Sequence, residues 1–209
     1  MELFTYYRST ASYRVRIALA LKGVEVQTLP VNLLTGEQQE AGYLDVNPQG
    51  RVPALRLDTG QVLTQSMAIL DYLEERWPTP PLLPADLLAR AQARSIAGLI
   101  GCDVHPLHNV AVLQRLRGLG VKETDVQAWI AHWIGRGLAA MEPMLGEEGY
   151  CLGDTPGWAD VFVVPQVYAA RRFGVGLEAC PRIQRVVALA ERHPAFITAH
   201  PQAQADTPG

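Results

Sequence analysis

Cysteine is scarce in this chain, basic charge is not in excess, and long uninterrupted apolar runs are missing. Three cysteines in 209 residues are too few and too scattered for a disulfide framework or a clustered metal site, and they predict a reducing compartment. The formal net charge of -3 argues against nucleic acid as the main partner. No segment reaches the roughly 20 uninterrupted apolar residues that a membrane span needs.

What the chain does contain is typical of a folded cytoplasmic protein. Hydrophobic residues make up 48% and charged residues 19%, which argues against a disordered or fibrous chain. The opening MELFTYYR has an acid at position 2 and lacks the basic start and apolar run of a signal peptide. We therefore expect a cytoplasmic location, with neither a membrane nor nucleic acid as partner.

A proline-rich segment divides the chain unequally. The stretch WPTPPLLP at 77–84 breaks helices and favours extended backbone. Before it, short β-like runs alternate with helix-like ones, and after it helical patterns dominate. We predict a first domain over residues 1–80 and an all-helical second domain over residues 85–209.

The first 30 residues predict a βαβ unit. Residues 3–6 form an aromatic-rich strand. Residues 12–23 form a helix with Ser12 near its start and Gly23 just past its end. The alternating run 25–31 then gives a second strand, which we expect to pair in parallel with the first.

Two further strands and a helix complete the first domain. The runs 52–57 and 61–63 flank an Asp-Thr-Gly turn and predict an antiparallel hairpin. Ser66 is expected to cap a final helix over residues 67–76. The order β-α-β-α-β-β-α is the thioredoxin-like arrangement, so the predicted fold class is α/β followed by all-α.

The second half is predicted to be helical nearly to its end. The tail 199–209 has two prolines and few large apolar groups, so we expect it to be poorly ordered. The helix-like stretches are 87–102, 104–119, 124–145, 159–172 and 183–192.

Several sequence motifs follow one another along nearly the whole chain. They are STASYRVRIAL at 9–19, NPQGRVPAL at 47–55, QSMAIL at 65–70, CDVHPLHN at 102–109 and GDTP at 153–156. In this order they resemble the zeta-class glutathione transferases, the family that includes maleylacetoacetate isomerase, and the first motif is the most specific to that class. The resemblance implies a thioredoxin-like βαβαββα domain followed by a C-terminal helical bundle, glutathione as cofactor and a homodimer.

Ser9 is the candidate for activating the glutathione sulfur. It follows the first strand and precedes the first helix, where a hydroxyl and the positive helix end stabilise a thiolate. Spacing alone allows an ordinary capping serine, whereas the resemblance implies contact with the sulfur. Thr10 and Ala11 stand where many family members have Ser-Cys. Ala11 removes any thiol-dependent role, and Thr10 keeps a hydroxyl for the sulfur or the helix start.

The remaining glutathione groups need different partners. The γ-glutamyl carboxylate suits the helix N-terminus at Ser66, with Gln65 alongside. The cysteinyl backbone suits an extended edge at Val52 held open by Pro53, and the resemblance implies a cis bond between them. Candidates for the glycyl carboxylate, each equally able to be a solvated loop residue, are Gln38, Gln49 and Arg51.

Two arginines are candidates for binding a dianionic substrate. Arg8 directly precedes Ser9, and Arg172 precedes Phe173 in an arrangement similar to an Arg-Phe pair of the family whose arginine faces the active site. Two fixed guanidinium groups bind two carboxylates and stabilise an enolate. Without the resemblance, a role in which Arg171 and Arg172 merely flank the apolar Phe173 is favoured.

The polar residues of the second half fall into two groups, candidates for the binding site and residues expected to support the fold. His108 and Asn109 resemble the family's polar pair and are predicted to contact glutathione. His105, before a proline, is predicted to be a packing or capping residue. Asp160 lies where the family has an N-capping box, so we expect it to bond back to the backbone at Gly157 and not to act as a catalytic acid.

The resemblance implies glutathione-dependent cis–trans isomerisation of maleylacetoacetate to fumarylacetoacetate in tyrosine and phenylalanine catabolism, without a metal. Alternatives are a maleylpyruvate isomerase of gentisate degradation, a general zeta-class transferase acting on small α-halo acids, and a glutathione-binding scaffold protein. Val110-Ala111 stand where some maleylpyruvate isomerases carry arginines, which favours maleylacetoacetate modestly. A thiol-disulfide oxidoreductase needs a C-x-x-C or C-x-x-S motif where this chain has Ser9-Thr10-Ala11-Ser12.

Overall fold

The computed structural model of the protein describes residues 1–208. The chain divides into two compact units, one formed by residues 1–81 together with residues 192–208, and the other by residues 82–191. The break falls within the proline-rich segment. The C-terminal segment groups with the first unit, which differs from the prediction of one helical domain over residues 85–209.

The first unit contains a four-stranded mixed sheet. In chain order its elements are β1 (Glu2–Thr5), α1 (Thr10–Lys22), β2 (Gln27–Pro30), α2 (Ala41–Leu44), β3 (Ala54–Arg56), β4 (Val62–Thr64) and α3 (Ser66–Arg76). The strands lie in the order β2-β1-β3-β4. β1 pairs in parallel with β2 and antiparallel with β3, and β3 and β4 form a hairpin. The predicted thioredoxin-like order and the predicted strand pairing are confirmed.

The core of the first unit lies between the sheet and its helices. Leu3 and Leu55 are opposite each other on β1 and β3 and are fully buried. Ile17 of α1 and Leu70 of α3 are also fully buried. A shift of one residue in strand pairing would turn these side chains to the other face of the sheet, so their burial fixes the register.

Helix α1 begins and ends at residues that satisfy its free backbone groups. Ser9 is the N-cap, and its Oγ accepts the N–H of Ser12 at 3.2 Å. Gly23 ends the helix in the left-handed conformation, with φ of 64°, as predicted. The predicted start at Ser12 is wrong, because the cap at Ser9 lets the helix begin at Thr10.

The second unit is helical and is built around one buried helix. Its elements are α4 (Leu87–Gly98), a π-helical turn (Leu99–Val104), a 3-10 turn (His105–His108), α5 (Val110–Gly118), α6 (Glu123–Met141), α7 (Trp158–Arg172) and α8 (Pro181–Ala190). Most of α7 is buried, and α4 and α8 pack against it. The five predicted helical stretches all occur. The stretch 104–119 contains the 3-10 turn before α5, with Pro106 near the start of that turn.

Asp160 holds the start of α7. Its side chain accepts the N–H of Gly157 at 2.8 Å and the N–H of Cys151 at 2.9 Å. The predicted bond from Asp160 to the N-cap backbone is therefore confirmed. Burial raises the pKa of this carboxyl. A Cβ at Gly157 would lie 2.8 Å from the carbonyl oxygen of Leu82, so glycine fits the close approach of the two segments.

One helical run, Leu87–Gly118, has the length and apolar composition of a membrane-spanning helix. It joins α4 to α5 through the π-helical and 3-10 turns. Ala93, Ile96 and Ile100 of this run are buried within the second unit, where α4 packs against α7. Other apolar residues of the run, Leu87 and Leu88 among them, are exposed.

The C-terminal segment is held by many polar contacts. It forms α9 (Pro194–Ala199), which packs against α1, and a 3-10 turn (Pro201–Ala203). The Gln204 side chain donates to the carbonyls of Thr198 and His200, both at 2.9 Å. The prediction of poor order over 199–209 is wrong for residues 199–208, because backbone-directed hydrogen bonds replace the large apolar groups that the tail lacks. Gly209 lies outside the described residues.

A buried lysine joins the ends of α1 and α3. The Nζ of Lys22 lies 2.7 Å from Glu74 and donates to the carbonyls of Trp77 at 2.7 Å and Pro80 at 3.0 Å. Its side chain is fully buried. We expect Lys22→Met to lower the free energy of unfolding by about 3 kcal/mol, because the Glu74 carboxylate and two carbonyls lose their partner.

Urea denaturation of the wild type and the variant measures this effect. Lys122→Met is the matched control, since Lys122 is exposed and should change stability by less than about 0.5 kcal/mol. Equal stability losses in the two variants would show that the Lys22 contacts do not hold α1 to α3.

Candidate active site

Ser9 lies on the turn between β1 and α1. Its N–H donates to the carbonyl of Tyr6 at 3.0 Å, and its Oγ accepts the N–H of Ser12. The cap uses a lone pair of the hydroxyl oxygen, so the hydroxyl hydrogen remains able to donate to an anion. The half-buried side chain stands at the positive end of the α1 dipole. Capping the helix and stabilising a thiolate are therefore compatible roles for Ser9.

The neighbours of Ser9 differ in exposure. Arg8 is half-buried, and its guanidinium carbon lies 5.9 Å from the ring centroid of Tyr7. Thr10 is 5% exposed at the first position of α1. The position of Arg8 suits a carboxylate that enters from solvent, whereas the burial of Thr10 favours support of the helix start.

The Val52–Pro53 peptide bond is cis, as the family resemblance implies. The carbonyl of Arg51, just before it, accepts hydrogen bonds from the Tyr43 hydroxyl and the Asn47 side-chain amide, both at 2.6 Å. These two bonds fix the peptide that enters Val52. Val52 lies at a bend two residues before β3, and its pairing with a bound peptide stays a prediction.

Tyr43 also gives a pH prediction. Burial raises its pKa to about 12, so the folded protein holds this proton more tightly than the unfolded chain, whose tyrosines titrate near 10. The stabilisation of the folded protein by the Tyr43 proton is present below about pH 10. It is lost as pH rises towards about 12, because the native state binds more protons than the unfolded chain in that interval. We expect Tyr43→Phe to flatten the alkaline fall of the unfolding free energy, measured by urea denaturation between pH 8 and pH 11. Identical alkaline slopes would contradict the proposed role of the Tyr43 proton.

Helix α3 begins at Ser66, so the prediction that Ser66 caps it is wrong. The N-cap is Gln65, which has φ of 67°, and this left-handed backbone turns the chain into the helix one residue early. The Ser66 hydroxyl instead accepts a hydrogen bond from Arg14 at 3.3 Å. The first turn of α3 carries no acidic residue, so its free N–H groups and positive dipole end are suited to a carboxylate.

The three candidates for the glycyl carboxylate lie in different surroundings. The Oε1 of Gln38 is buried and has no hydrogen-bond partner among residues 1–208, and only the side-chain NH2 of Gln38 can donate to a carboxylate. Gln49 is exposed, and its Oε1 accepts from the Gln65 side chain at 2.8 Å. Arg51 is exposed. The contact between Gln49 and Gln65 places both amides beside the start of α3.

Arg172 ends α7 in the second unit and is exposed. Its guanidinium carbon lies 4.5 Å from the ring centroid of Phe173, and that ring meets His108 edge to face at 5.8 Å. The Nε2 of His108 lies 3.1–3.3 Å from the side-chain amide of Gln166. Arg172 therefore stacks on an aromatic group that a buried polar pair supports.

His108 and Asn109 both have contacts within the second unit. His108 is 4% exposed, and the Asn109 side chain caps α5 by accepting the N–H of Ala111 at 3.1 Å. The ring of His105 packs 5.2 Å from that of His108. The assignment of His108 and Asn109 as glutathione ligands stays a prediction. Among residues 1–208, no group of three or more His, Cys, Asp or Glu side chains is arranged to hold a metal ion.

Sequence reasoning missed several residues that hold the site. Arg14 and Arg16 are 2% and 6% exposed on α1, and Asn47 is 1% exposed. The available signal is that Arg14 and Arg16 lie in a stretch predicted to be an apolar helix, because a buried charge needs polar partners. Nothing in the composition of the tail indicates that Asp206 accepts the N–H of Tyr7 at 2.8 Å.

Comparison with known proteins gives matches over the whole chain. Residues 8–76 match the family model described as the glutathione S-transferase N-terminal domain, and residues 127–197 match that of the C-terminal domain. A maleylacetoacetate isomerase of Pseudomonas aeruginosa is 60% identical over 210 aligned positions, which cover 100% of this chain and 99% of that protein.

Two solved structures are similar to this fold. A maleylpyruvate isomerase described as a bacterial zeta-class glutathione S-transferase in its holo form superposes with a TM-score of 0.96 and 44% identity, covering 100% of both chains. A maleylacetoacetate isomerase from Anaeromyxobacter dehalogenans with glutathione bound in its active site gives a TM-score of 0.90 and 41% identity, covering 99% of this chain and 97% of that one.

Proposed function

The chain belongs to the zeta class of the glutathione S-transferase family, and on that premise we propose that it catalyses the glutathione-dependent cis–trans isomerisation of maleylacetoacetate to fumarylacetoacetate. The observation that carries the proposal is the Ser9 turn, where a hydroxyl hydrogen remains available at the N-terminus of α1. The 60% identity to a maleylacetoacetate isomerase supports the choice of substrate.

The residues of the first unit fit glutathione group by group. The acid-free first turn of α3 offers backbone N–H groups to the γ-glutamyl carboxylate, with Gln65 beside it. We assign the cysteinyl peptide to the backbone at Val52, before the cis bond to Pro53, and the glycyl carboxylate to the side-chain NH2 of Gln38. Ser9 then reaches the thiol.

Bound glutathione supplies a thiolate that adds reversibly to the cis double bond and leaves again after rotation about the resulting single bond. Ser9 donates a hydrogen bond to the glutathione sulfur, which stabilises the thiolate at neutral pH. Arg8, which adjoins Ser9, binds a carboxylate of the substrate and stabilises the enolate charge that develops on addition, and the family resemblance assigns a carboxylate-binding role to Arg172. No proton leaves the protein permanently, and glutathione is regenerated.

The nearest alternative is maleylpyruvate isomerisation. It is supported by the 44% identity to a maleylpyruvate isomerase over the full chain. Val110-Ala111 replace the arginines that some of those enzymes carry after the polar pair, which favours the longer substrate. Conjugation of small α-halo acids by the same thiolate is a side activity that this site allows.

We also propose a cytoplasmic homodimer working in aromatic amino-acid catabolism, in keeping with the names of its relatives. A scaffold protein that only binds glutathione remains the non-enzymatic alternative. Retention on immobilised glutathione without isomerase or conjugation activity would identify that role.

The test compares substrates on the purified protein with glutathione. We expect conversion of maleylacetoacetate with a kcat/KM about tenfold or more above that for maleylpyruvate, because one pocket discriminates by roughly 1–3 kcal/mol between homologous groups. Faster turnover of maleylpyruvate would transfer the assignment to gentisate degradation.

A further inference from the structure

The turn that carries Arg8 and Ser9 is held by bonds to its backbone. The Arg16 guanidinium donates to the carbonyl of Tyr6 at 3.3 Å and to the carbonyl of Tyr7 at 2.9 Å. The N–H of Tyr7, in turn, donates to the Asp206 carboxylate at 2.8 Å. Both backbone polar groups of Tyr7 are therefore bound by charged side chains.

The same guanidinium links this turn to the C-terminal segment. The Nε of Arg16 donates to the carbonyl of Ala199 at 3.0 Å, at the end of α9. Beyond it, the hydroxyl of Thr207 donates to the carbonyl of Pro201 at 2.6 Å, which folds the segment back on itself around Asp206. The position of Asp206 is thus set from both sides along the chain.

Only one residue separates Tyr7 from Ser9. A carboxylate that accepts a backbone N–H makes a charge-assisted hydrogen bond, which is stronger than a neutral one. Loss of this acceptor leaves the Tyr6–Tyr7 peptide held only through its carbonyl, which accepts the Ser9 N–H and the Arg16 guanidinium. The turn that carries the Arg8 and Ser9 side chains is then less tightly fixed. Small displacements of positioning groups are enough to slow a reaction that depends on alignment.

We propose that Asp206 is a positioning residue of the active site, through which the C-terminal segment fixes the Arg8–Ser9 turn in its reactive geometry. This inference rests on the proposed function. It explains why a segment distant in sequence from the thioredoxin-like domain packs with it.

The test uses full-length Asp206→Ala, Asp206→Asn and Thr207→Ala proteins. We expect Asp206→Ala to lower kcat/KM for isomerisation about five- to tenfold, mainly in kcat, since about 1.36 kcal/mol corresponds to tenfold in rate. Hydrogen exchange at the Tyr7 amide should accelerate in the same variant without glutathione. Asp206→Asn keeps an oxygen acceptor and should keep both properties within about twofold of the wild type. Thr207→Ala loses the bond that helps to set the position of Asp206, so it should shift both properties in the same direction as Asp206→Ala but by less.

The outcomes separate this inference from the proposed function. Faster Tyr7 exchange in Asp206→Ala with unchanged kcat would overturn the positioning role and leave a purely structural contact. Unchanged Tyr7 exchange would overturn it equally. If the wild type binds glutathione but isomerises no substrate, the proposed function fails, and the positioning role then stands only if Asp206→Ala raises the pKa of the bound thiol, read from thiolate absorbance.

Discussion

Replacing Ser9 by alanine is expected to lower kcat/KM for isomerisation by about tenfold or more, because the sulfur loses its hydrogen-bond donor at the α1 N-terminus. A thiol whose pKa falls from about 8.5 to about 6.5 is about 75% ionised at pH 7 instead of roughly 3%. Losing that shift removes most of the reactive thiolate. Steady-state kinetics at saturating glutathione, together with the thiolate absorbance of the bound tripeptide, measure both consequences.

The Ser9 side chain also caps α1, so stability must be separated from catalysis. Alanine at an N-cap costs about 0.5–2 kcal/mol, whereas glycine costs only a few tenths. Ser9→Gly should therefore keep near wild-type stability and lose as much activity as Ser9→Ala. Recovery of activity in the glycine variant would show that the cap, and not the donor, explains the alanine result.

Arg172→Met is expected to lower kcat/KM for the dianionic substrate by about tenfold to a hundredfold and to leave the KM for glutathione unchanged. Its guanidinium stacks on Phe173, so the charge is held in a defined orientation at the end of α7. Methionine keeps the apolar stem and removes the charge and the donors. Steady-state kinetics with each substrate varied in turn separate the two effects.

Arg171 is the matched control. It is adjacent, equally charged and exposed, and it pairs with Glu191. Exposed pairs of this kind contribute little to stability, so Arg171→Met should change kcat/KM by less than about twofold. Equal losses of kcat/KM in the two variants would show that Arg172 acts only through its positive charge and does not bind the substrate.

The thioredoxin-like domain and the Ser9 turn could be predicted from the sequence because their signals are local. Strand alternation, the left-handed position at Gly23 and the serine between strand and helix each depend on a few neighbouring residues. The start of α3 could not be predicted this way. Gln65 adopts a left-handed backbone that few non-glycine residues adopt, and this shifts Ser66 from cap to first helical residue.

The C-terminal segment shows the limit of composition as a guide. Residues 199–208 are mostly small or polar, which is typical of a loosely held tail. Its hydrogen bonds go to partners far along the chain, as in the contacts of Arg16 with Ala199 and of Tyr7 with Asp206. Such long-range pairings leave no periodicity in the sequence, so only the structure reveals them.

Counting product molecules against glutathione distinguishes isomerisation that regenerates glutathione from a reaction that consumes it. The purified protein is incubated with excess maleylacetoacetate and a small amount of glutathione, and fumarylacetoacetate and free thiol are both measured. We expect many product molecules per glutathione, no net loss of thiol, and no enzymatic conversion when glutathione is omitted. Conversion that consumes one thiol per substrate, or that proceeds equally without glutathione, would contradict it.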